Sequence, residues 1–288
     1  WPVVLYGHGT GGDFESCRAS AVQPGPELAK SGLAMVCIDQ PLHGERGWEG
    51  LNVELYSFNV QNPRAGRTNF RQSAIDVMTL ARMLGSGVFD LPAADNGSDQ
   101  DLSFDPVSVH LFGHSHGGLA GAIALGIEPM LNFAVLSGAG GILVETILRR
   151  KAPVNFKQLV ATILDVEEDA LNIFHPTMSV MQMLVDATDP INYAPLWFDP
   201  GPGGTPKHVF VTEGTLDHAT PYVGTDAMCA AAGVPIITPG DHDSLAHQLK
   251  GIAVKNEPVF ENVQNAAGDQ LTGGVFQWPG GSHWVAFE

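Results

Sequence analysis

The chain has 288 residues, 44% of them hydrophobic, and its 31 acidic residues against 14 Lys and Arg give a formal net charge of −17. This length and hydrophobic content are typical of a globular α/β domain with one large core and exclude a disordered chain. The acidic balance argues against a nucleic-acid partner and against an anionic membrane surface held by basic residues. The sequence has no apolar run of about 18 residues, so it predicts no membrane span.

Two features bear on the compartment of the protein. The chain begins with Trp1 instead of Met and enters an apolar run at once. Either a leader or upstream segment has been removed or the chain is a fragment, which favours an exported or cell-envelope protein. The cysteines Cys17, Cys37 and Cys229 form no CxxC pair, and both one disulfide and three buried free thiols are compatible with them.

Short apolar runs alternate with longer segments of helical character, which predicts a parallel sheet flanked by helices. The predicted strands are residues 3–6, 34–39, 107–112, 133–137, 208–213 and 275–278. Between the second and third strands, residues 69–84 predict an amphipathic helix with Asn69 as its N-cap and Gln72 completing a capping box. The predicted apolar face of this helix carries Ile75, Met78, Thr79 and Met83.

Two segments interrupt the alternation of strands and helices. Residues 141–206 are mostly helical in pattern and apolar-rich, and they end in the Pro/Gly-rich stretch DPGPGGTP. The pattern predicts an insertion between two strands of a core formed by residues 1–140 and 207–288. Residues 240–274 predict loops with a short strand pair.

The first chemical motif is Gly113-His114-Ser115-His116-Gly117, which matches G-x-S-x-G. An apolar strand precedes it and a segment of small residues follows it, as a nucleophile on a sharp strand-to-helix turn requires. The alternative is a serine in an ordinary glycine-rich loop. The strand before and the small-residue helix after it favour a catalytic Ser115.

The second motif is the loop His8-Gly9-Thr10-Gly11-Gly12, directly after the first predicted strand. Its backbone N–H groups could point at a developing oxyanion. A simple glycine turn is the alternative, and a phosphate loop is excluded because the required Lys-Ser/Thr pair is absent. When a nucleophile lies on such a strand-to-helix turn, the oxyanion donors would be the backbone N–H groups of Thr10 and His116.

These two motifs, in this order, resemble the α/β-hydrolase family, and within it the bacterial serine carboxylesterases and lipases with a helical cap. The resemblance covers nearly the whole chain, except that the two antiparallel strands usually found before the oxyanion loop are missing. It implies the α/β-hydrolase fold, a mostly parallel sheet flanked by helices, with residues 141–206 as a helical cap or lid. The cap would follow the strand after the nucleophile helix.

The resemblance also implies that an acid and then a histidine follow Ser115. Asp217 lies in the loop after the strand 208–213 and is the expected acid, with Glu213 in reserve. His218, beside Asp217, is expected to point elsewhere and to be structural.

The expected base is His283, on a glycine-containing loop directly after the last predicted strand. His242 and His247 lack this strand-then-loop context. Together with Asp241 and Asp243 they offer two imidazoles and two carboxylates for a divalent ion, but a polar surface loop is the favoured interpretation. The acidic stretch 95–101 is interpreted as a solvated turn, since it lacks the spacing of a calcium loop.

The sequence therefore predicts a serine hydrolase of carboxylic esters with short to medium acyl chains, acting without cofactor or metal on a small-molecule or lipid ester. Ser115 attacks, His283 oriented by Asp217 removes the proton, and Thr10 and His116 bind the oxyanion. A lipase or lysophospholipase acting on longer chains is the alternative within the same chemistry. A binding protein that keeps the fold without catalysis is the alternative from another class. The oligomeric state stays open.

Overall fold

The computed structural model describes residues 1–18 and 24–287. Its central feature is a seven-stranded sheet in the order β2-β1-β5-β6-β7-β11-β8, with every neighbouring pair parallel. Two small antiparallel hairpins, β3-β4 and β9-β10, lie outside it. The strands are β1 (Val3–Gly7), β2 (Ala34–Cys37), β3 (Asp90–Leu91), β4 (Leu102–Ser103), β5 (Val109–His114), β6 (Leu131–Ser137), β7 (His208–Gly214), β8 (Ile236–Ile237), β9 (Val263–Gln264), β10 (Gln270–Leu271) and β11 (Gly273–Trp278).

Helices connect the strands. The α-helices are α1 (Pro24–Lys30), α2 (Val53–Phe58), α3 (Pro63–Leu84), α4 (Ala93–Asn96), α5 (His116–Ile127), α6 (Leu143–Arg149), α7 (Phe156–Leu164), α8 (Pro176–Val185), α9 (Tyr222–Ala232) and α10 (Leu245–Lys250). Short 3-10 helices cover Phe14–Cys17, Gly44–Arg46, Glu168–Ala170, Asp186–Thr188, Pro190–Asn192 and Ala194–Leu196. Among the described residues, no helix combines the length and apolar character needed to cross a bilayer.

The strand order places a crevice at the carboxyl ends of β1 and β5. The chain leaves β1 toward β2 on one side and leaves β5 toward β6 on the other, although β1 and β5 are neighbours. In parallel α/β sheets such a reversal of direction opens a ligand-binding crevice. The register pairs Gly7 with Gly113, so the loops that follow these two strands begin side by side.

Glycines allow α5 to pack tightly against the sheet at this crevice. A Cβ atom on Gly117 would lie 2.1 Å from the carbonyl oxygen of Gly7, and one on Gly113 would lie 2.5 Å from the carbonyl oxygen of Gly117. Both distances are far below van der Waals contact, so neither position tolerates a side chain without backbone movement. The small-residue pattern of the G-x-S-x-G motif is thus required by the close approach of helix and strand.

The helix α3 begins earlier than the sequence predicts. Asn62, not Asn69, is the N-cap, and Pro63 is the first helical residue, a position that proline favours. The predicted apolar face was also wrong, since Ile75 and Met83 are 41% and 40% exposed. The buried face contains several small residues because α3 packs against the Gly/Ala-rich α5; it consists of Gly66, Phe70, Ser73, Ala74, Val77, Ala81 and Leu84.

The segment between β6 and β7 contains α6, α7, α8 and several 3-10 helices, and so has the helical character that the sequence predicts. Its helices share a second hydrophobic cluster, separate from the one around the sheet. Met178 and Met181 are buried in this cluster, whereas Met183 is 69% exposed.

Among the cysteines, Cys17 and Cys37 form a disulfide, and Cys229 is a buried free thiol. The disulfide joins the 3-10 helix Phe14–Cys17 to the edge strand β2. Of the two possibilities left open by the sequence, the structure therefore selects one disulfide. The strand pair expected within residues 240–274 is the hairpin of β9 and β10.

Candidate active site

Ser115 lies on the sharp turn between β5 and α5. Its backbone has φ 55° and ψ −117°, a strained conformation for a residue with a side chain. Its N–H donates to the carbonyl of Ser137 over 2.8 Å, and its carbonyl accepts from Leu119 over 2.9 Å. The adjacent strand and the first turn of the helix thus hold the strained residue in place.

The loop after β1 lies directly against this turn. The N–H of Gly117 donates to the carbonyl of His8 over 3.0 Å, which ties the loop to the first turn of α5. A Cβ atom on Gly9 would lie 3.6 Å from the Oγ of Ser115. Thr10 and Ser115 line the same cavity. The loop that the sequence assigns to oxyanion binding is therefore beside the serine.

The side chain of His116 lies outside the cavity that Ser115 lines. As the first residue of α5, His116 has an N–H group without an intrahelical acceptor. Its side chain is fully buried, stacks on Phe70 with ring centroids 4.4 Å apart, and has Nε2 3.0 Å from the Oγ of Ser73. Burial lowers the pKa of His116 well below its usual value, so this imidazole is neutral.

Asp217 and His283 form a hydrogen bond between two loops. The Nδ1 of His283 lies 2.6 Å from Oδ2 of Asp217. The other carboxylate oxygen accepts from the N–H groups of Ala219 and Thr220 over 2.7 and 2.8 Å. Because the carboxylate accepts a hydrogen bond from the Nδ1–H group, the neutral imidazole carries its free lone pair on Nε2.

His283 and Ser115 are brought to the same place by the end of β6. The N–H of Ser115 bonds to Ser137, and the next residue, Gly138, lies against the ring of His283. Gly138 has φ 57°, and a Cβ atom there would lie 2.6 Å from the Cε1 of His283. The serine and the imidazole both line one cavity of about 420 Å³.

This cavity also contains an ion pair that the sequence analysis missed. Arg150 is 4% exposed, and its Nη2 lies 2.5 Å from Oε2 of Glu54. The guanidinium packs over the rings of Phe58 and Phe156, 4.8 and 5.1 Å from their centroids. Burial raises the pKa of Glu54, and the neighbouring guanidinium opposes that rise. The pair gives one wall of the cavity a polar surface. No motif could have found it, because its members are 96 positions apart.

The remaining candidates from the sequence do not contact Asp217 or His283 through hydrogen bonds among those described. The sequence predicts that His218 points away from the site; instead it is exposed and lines the cavity with Ser115, and its carbonyl accepts from Lys151 over 2.9 Å. His247 is buried and bonds to the Oγ of Ser244 and the carbonyl of Val234, so it is not part of a polar surface loop. Residues 95–101 are mostly exposed, as the interpretation of a solvated turn requires.

Glu213, the reserve acid, contacts a different histidine. Its Oε1 lies 3.7 Å from the Nε2 of His242, which in turn lies 2.9 Å from Oδ2 of Asp226. Burial, followed by the neighbouring Asp226 carboxylate, raises the pKa of Glu213 to about 9. The contact with His283 is made by Asp217, and Glu213 belongs to a separate cluster.

No family model and no curated protein matches this sequence. Solved structures do match. Acetyl xylan esterase 1 from a Thermoanaerobacterium species is similar over 98% of this chain and 69% of its own, with 13% identity and a TM-score of 0.53. The acylaminoacyl peptidase of Pyrococcus horikoshii is similar over 100% of this chain and 34% of its own, with 11% identity and a TM-score of 0.51.

A puromycin-hydrolyzing peptidase of Mycobacterium tuberculosis is similar over 98% of this chain, with 13% identity and a TM-score of 0.49. The chain spans 30% and 34% of the lengths of the two peptidases. At these identities the likeness concerns the fold. The parallel seven-stranded sheet, its strand order and the matches to the esterase and the Pyrococcus peptidase together show that this chain has the α/β-hydrolase fold.

Proposed function

We propose that the protein is a serine hydrolase that cleaves carboxylic esters, with Ser115 as nucleophile, His283 as general base and Asp217 as the residue that positions the base. The observation that carries this proposal is the position of Ser115. It is held at φ 55° on the turn after β5 and lines one cavity with His283, whose Nδ1 bonds to Asp217. A strained serine beside an oriented imidazole is the arrangement that nucleophilic catalysis needs.

In the proposed reaction, Nε2 of His283 accepts the hydroxyl proton of Ser115 as Oγ attacks the ester carbonyl carbon. The imidazolium, stabilised by Asp217, then gives this proton to the departing alkoxide, which leaves as the alcohol. The acyl group remains on Oγ. Water, deprotonated by the same imidazole, attacks the acyl carbon, and the returning proton restores the serine hydroxyl as the carboxylic acid leaves.

The negative charge on the carbonyl oxygen would be stabilised by the backbone N–H groups of Thr10 and His116. Thr10 belongs to the loop after β1, and His116 is the residue after the nucleophile. A preformed donor of this kind is worth about 3 kcal/mol in the transition state. The hydrogen bond from Gly117 to His8 supports this role because it fixes the loop beside the serine turn.

Residues 141–206 would act as a cap over the ester. Arg150, Ala152 and Pro153 come from this segment and line the cavity together with Ser115. A cavity of about 420 Å³ lies within the usual range for small-molecule sites, which favours esters with short to medium acyl chains. Lipase or lysophospholipase activity would require longer chains to be accommodated.

The test is ester hydrolysis combined with active-site labelling. The wild type is expected to hydrolyse p-nitrophenyl acetate or butyrate faster than the palmitate ester, and to react once with a fluorophosphonate probe. Ser115→Ala should lose both properties, whereas the exposed control Ser31→Ala should keep them. Hydrolysis by Ser115→Ala at the wild-type rate would overturn the proposal. A folded wild type that neither hydrolyses esters nor labels would favour a non-catalytic binding protein.

A further inference from the structure

A second group of chemically active side chains lies outside the Ser115 cavity. Glu213 is at the carboxyl end of β7, Asp226 is within α9, and His242 is in the loop after β8. Each offers one ligand atom, and these three atoms all lie within 4.8 Å of one another. Three separate segments of the chain thus converge on one point.

Two of the three side chains are buried without enough hydrogen bonds. Glu213 is 2% exposed, and neither of its carboxylate oxygens accepts a well-formed hydrogen bond among the described residues. The nearest donors are Nε2 of His242, 3.7 Å from Oε1, and the side-chain amide of Gln277. Oδ1 of Asp226 is also buried and unpartnered among the described residues, while its Oδ2 lies 2.9 Å from Nε2 of His242. Buried polar atoms are nearly always satisfied in folded proteins, so poorly bonded carboxylate oxygens on two neighbouring buried side chains indicate a missing partner.

We propose that Glu213, Asp226 and His242 bind one divalent transition-metal ion of the Zn²⁺ or Mn²⁺ class. A dication at this point would neutralise both carboxylates and bond to oxygens that otherwise lack a well-formed hydrogen bond. One imidazole nitrogen and two carboxylate oxygens form a mixed ligand set suited to these ions, whereas Ca²⁺ and Mg²⁺ prefer oxygen ligands alone. With ligand bonds of about 2.0–2.2 Å, the ligand atoms of a tetrahedral site lie about 3.4 Å apart. Nε2 of His242 would therefore move away from Asp226, now 2.9 Å distant, and towards Glu213, now 3.7 Å distant.

Gln277 supports the three ligands from β11. Its Oε1 accepts from the N–H groups of Asp241 and His242 over 2.9 and 3.3 Å, which fixes the loop that carries His242. Its Nε2 therefore faces the cluster, 3.2 Å from Nε2 of His242. When the metal occupies this imidazole nitrogen, the amide N–H groups are placed to donate to a carboxylate ligand, a common supporting contact at metal sites.

An ion can reach the cluster from a second cavity. His242 lines a space of about 410 Å³ together with Asp241 and Asp243, and none of its lining residues belongs to the Ser115 cavity. The imidazole is 22% exposed, so it lies between this acidic opening and the buried carboxylates. Bound there, the metal would join β7, α9 and the loop after β8, and so stabilise the strand that leads to Asp217.

The test is metal binding by the whole chain after dialysis against EDTA. Calorimetry with ZnCl₂, MnCl₂ and CaCl₂, and thermal melts in each salt, are expected to show one site for Zn²⁺ or Mn²⁺ and a rise in Tm with either ion. Ca²⁺ should bind at least tenfold more weakly. Failure of the wild type to bind either transition metal, or preference for Ca²⁺, would overturn the proposal.

Matched variants locate the site. Asp226→Asn and His242→Asn should each lose the single site and the rise in Tm, whereas Asp243→Asn, which lines the same opening, should keep both. Glu213→Gln replaces a buried carboxyl group by an amide of the same shape, so it should fold about as stably as the metal-free wild type and still fail to respond to metal. Retention of the site in Glu213→Gln and His242→Asn would assign the binding to other histidines and contradict the proposal.

Discussion

The Nδ1 of His283 and Oδ2 of Asp217 are 2.6 Å apart, although 66 positions separate the two residues along the chain. The geometry predicts the behaviour of Asp217→Asn. An amide at this position can donate to Nδ1, which would place the imidazole proton on Nε2 and remove the base. We expect kcat to fall about 1,000- to 10,000-fold with little change in KM, measured on a p-nitrophenyl ester. The exposed control Asp99→Asn should be unaffected, and equal losses in both variants would contradict the assignment.

Gly138→Ala should separate the placement of the base from backbone strain. An added methyl would lie 2.6 Å from the Cε1 of His283, at a residue with φ 57°. The matched control is Gly203→Ala, at φ 79° with open space around it. Both variants should lose about 1–2 kcal/mol of unfolding free energy from the left-handed backbone. Only Gly138→Ala should lose activity, by about 100-fold, since displacement of a catalytic group by about 1 Å has this effect. Full activity of Gly138→Ala would contradict the proposed position of the base.

The ion pair in the cavity wall makes a prediction about stability. Arg150→Met would leave the half-buried carboxylate of Glu54 without its partner, which costs about 2 kcal/mol of unfolding free energy, less than for a fully buried pair. The double variant Glu54→Gln/Arg150→Met removes both charges and should recover most of that loss. Urea unfolding of Arg150→Met, Glu54→Gln and the double variant gives the coupling free energy between the two side chains. Strictly additive effects would show that the two side chains do not interact.

Lys207 predicts a pH dependence of stability. It is 2% exposed, and its ammonium donates to the carbonyls of Glu128 and Leu131 and to the hydroxyl of Thr205. Burial lowers the pKa of Lys207 from 10.5 to about 8. The folded state thus releases this proton at a lower pH than the unfolded state, so protonation opposes folding below pH 8. The contribution of Lys207 to unfolding free energy should rise between about pH 8 and pH 10.5.

The measurement is urea unfolding of the wild type and Lys207→Met at pH 7, 8.5 and 10. The free-energy difference between them should shift by about 2 kcal/mol in favour of the wild type as the pH rises. The difference between the two unfolding free energies cancels the contribution of the other titrating groups, because both proteins contain them. A constant difference across this pH range would show that Lys207 titrates normally.

Local sequence patterns were enough to predict six of the seven strands of the sheet and the turn that carries Ser115, whereas the two-residue edge strand β8 was missed. The strand ending at His114 and the small residues after Ser115 lie within a few positions of one another, so their pattern contains the information. The predicted fold class depends on the same local patterns, and the structure confirms it. The roles of Ser115, Asp217 and His283 stay predictions until the variants are measured.

Contacts between distant segments of the chain could not be predicted from the sequence. The ion pair between Glu54 and Arg150 and the cluster around Glu213 each bring together residues from separate segments. No short-range sequence pattern indicates that these residues are in contact. The start of α3 was predicted wrongly for a different reason. Asn62 and Pro63 have the residue types of an N-cap and a first helical residue. The prediction instead assigned the buried face to large apolar side chains, whereas several of the buried residues are small.

The disulfide between Cys17 and Cys37 has a consequence for the loop that contains Thr10. This loop leaves the interior of the sheet at Gly7 and reaches its covalent anchor at Cys17, so both of its ends are immobilised. Between them, the N–H of Phe14 also donates to Asp39 over 2.7 Å. A segment held in this way has few alternative conformations to lose when a substrate arrives. Its N–H groups would therefore be preorganised, and substrate binding would not have to supply the free energy of ordering them.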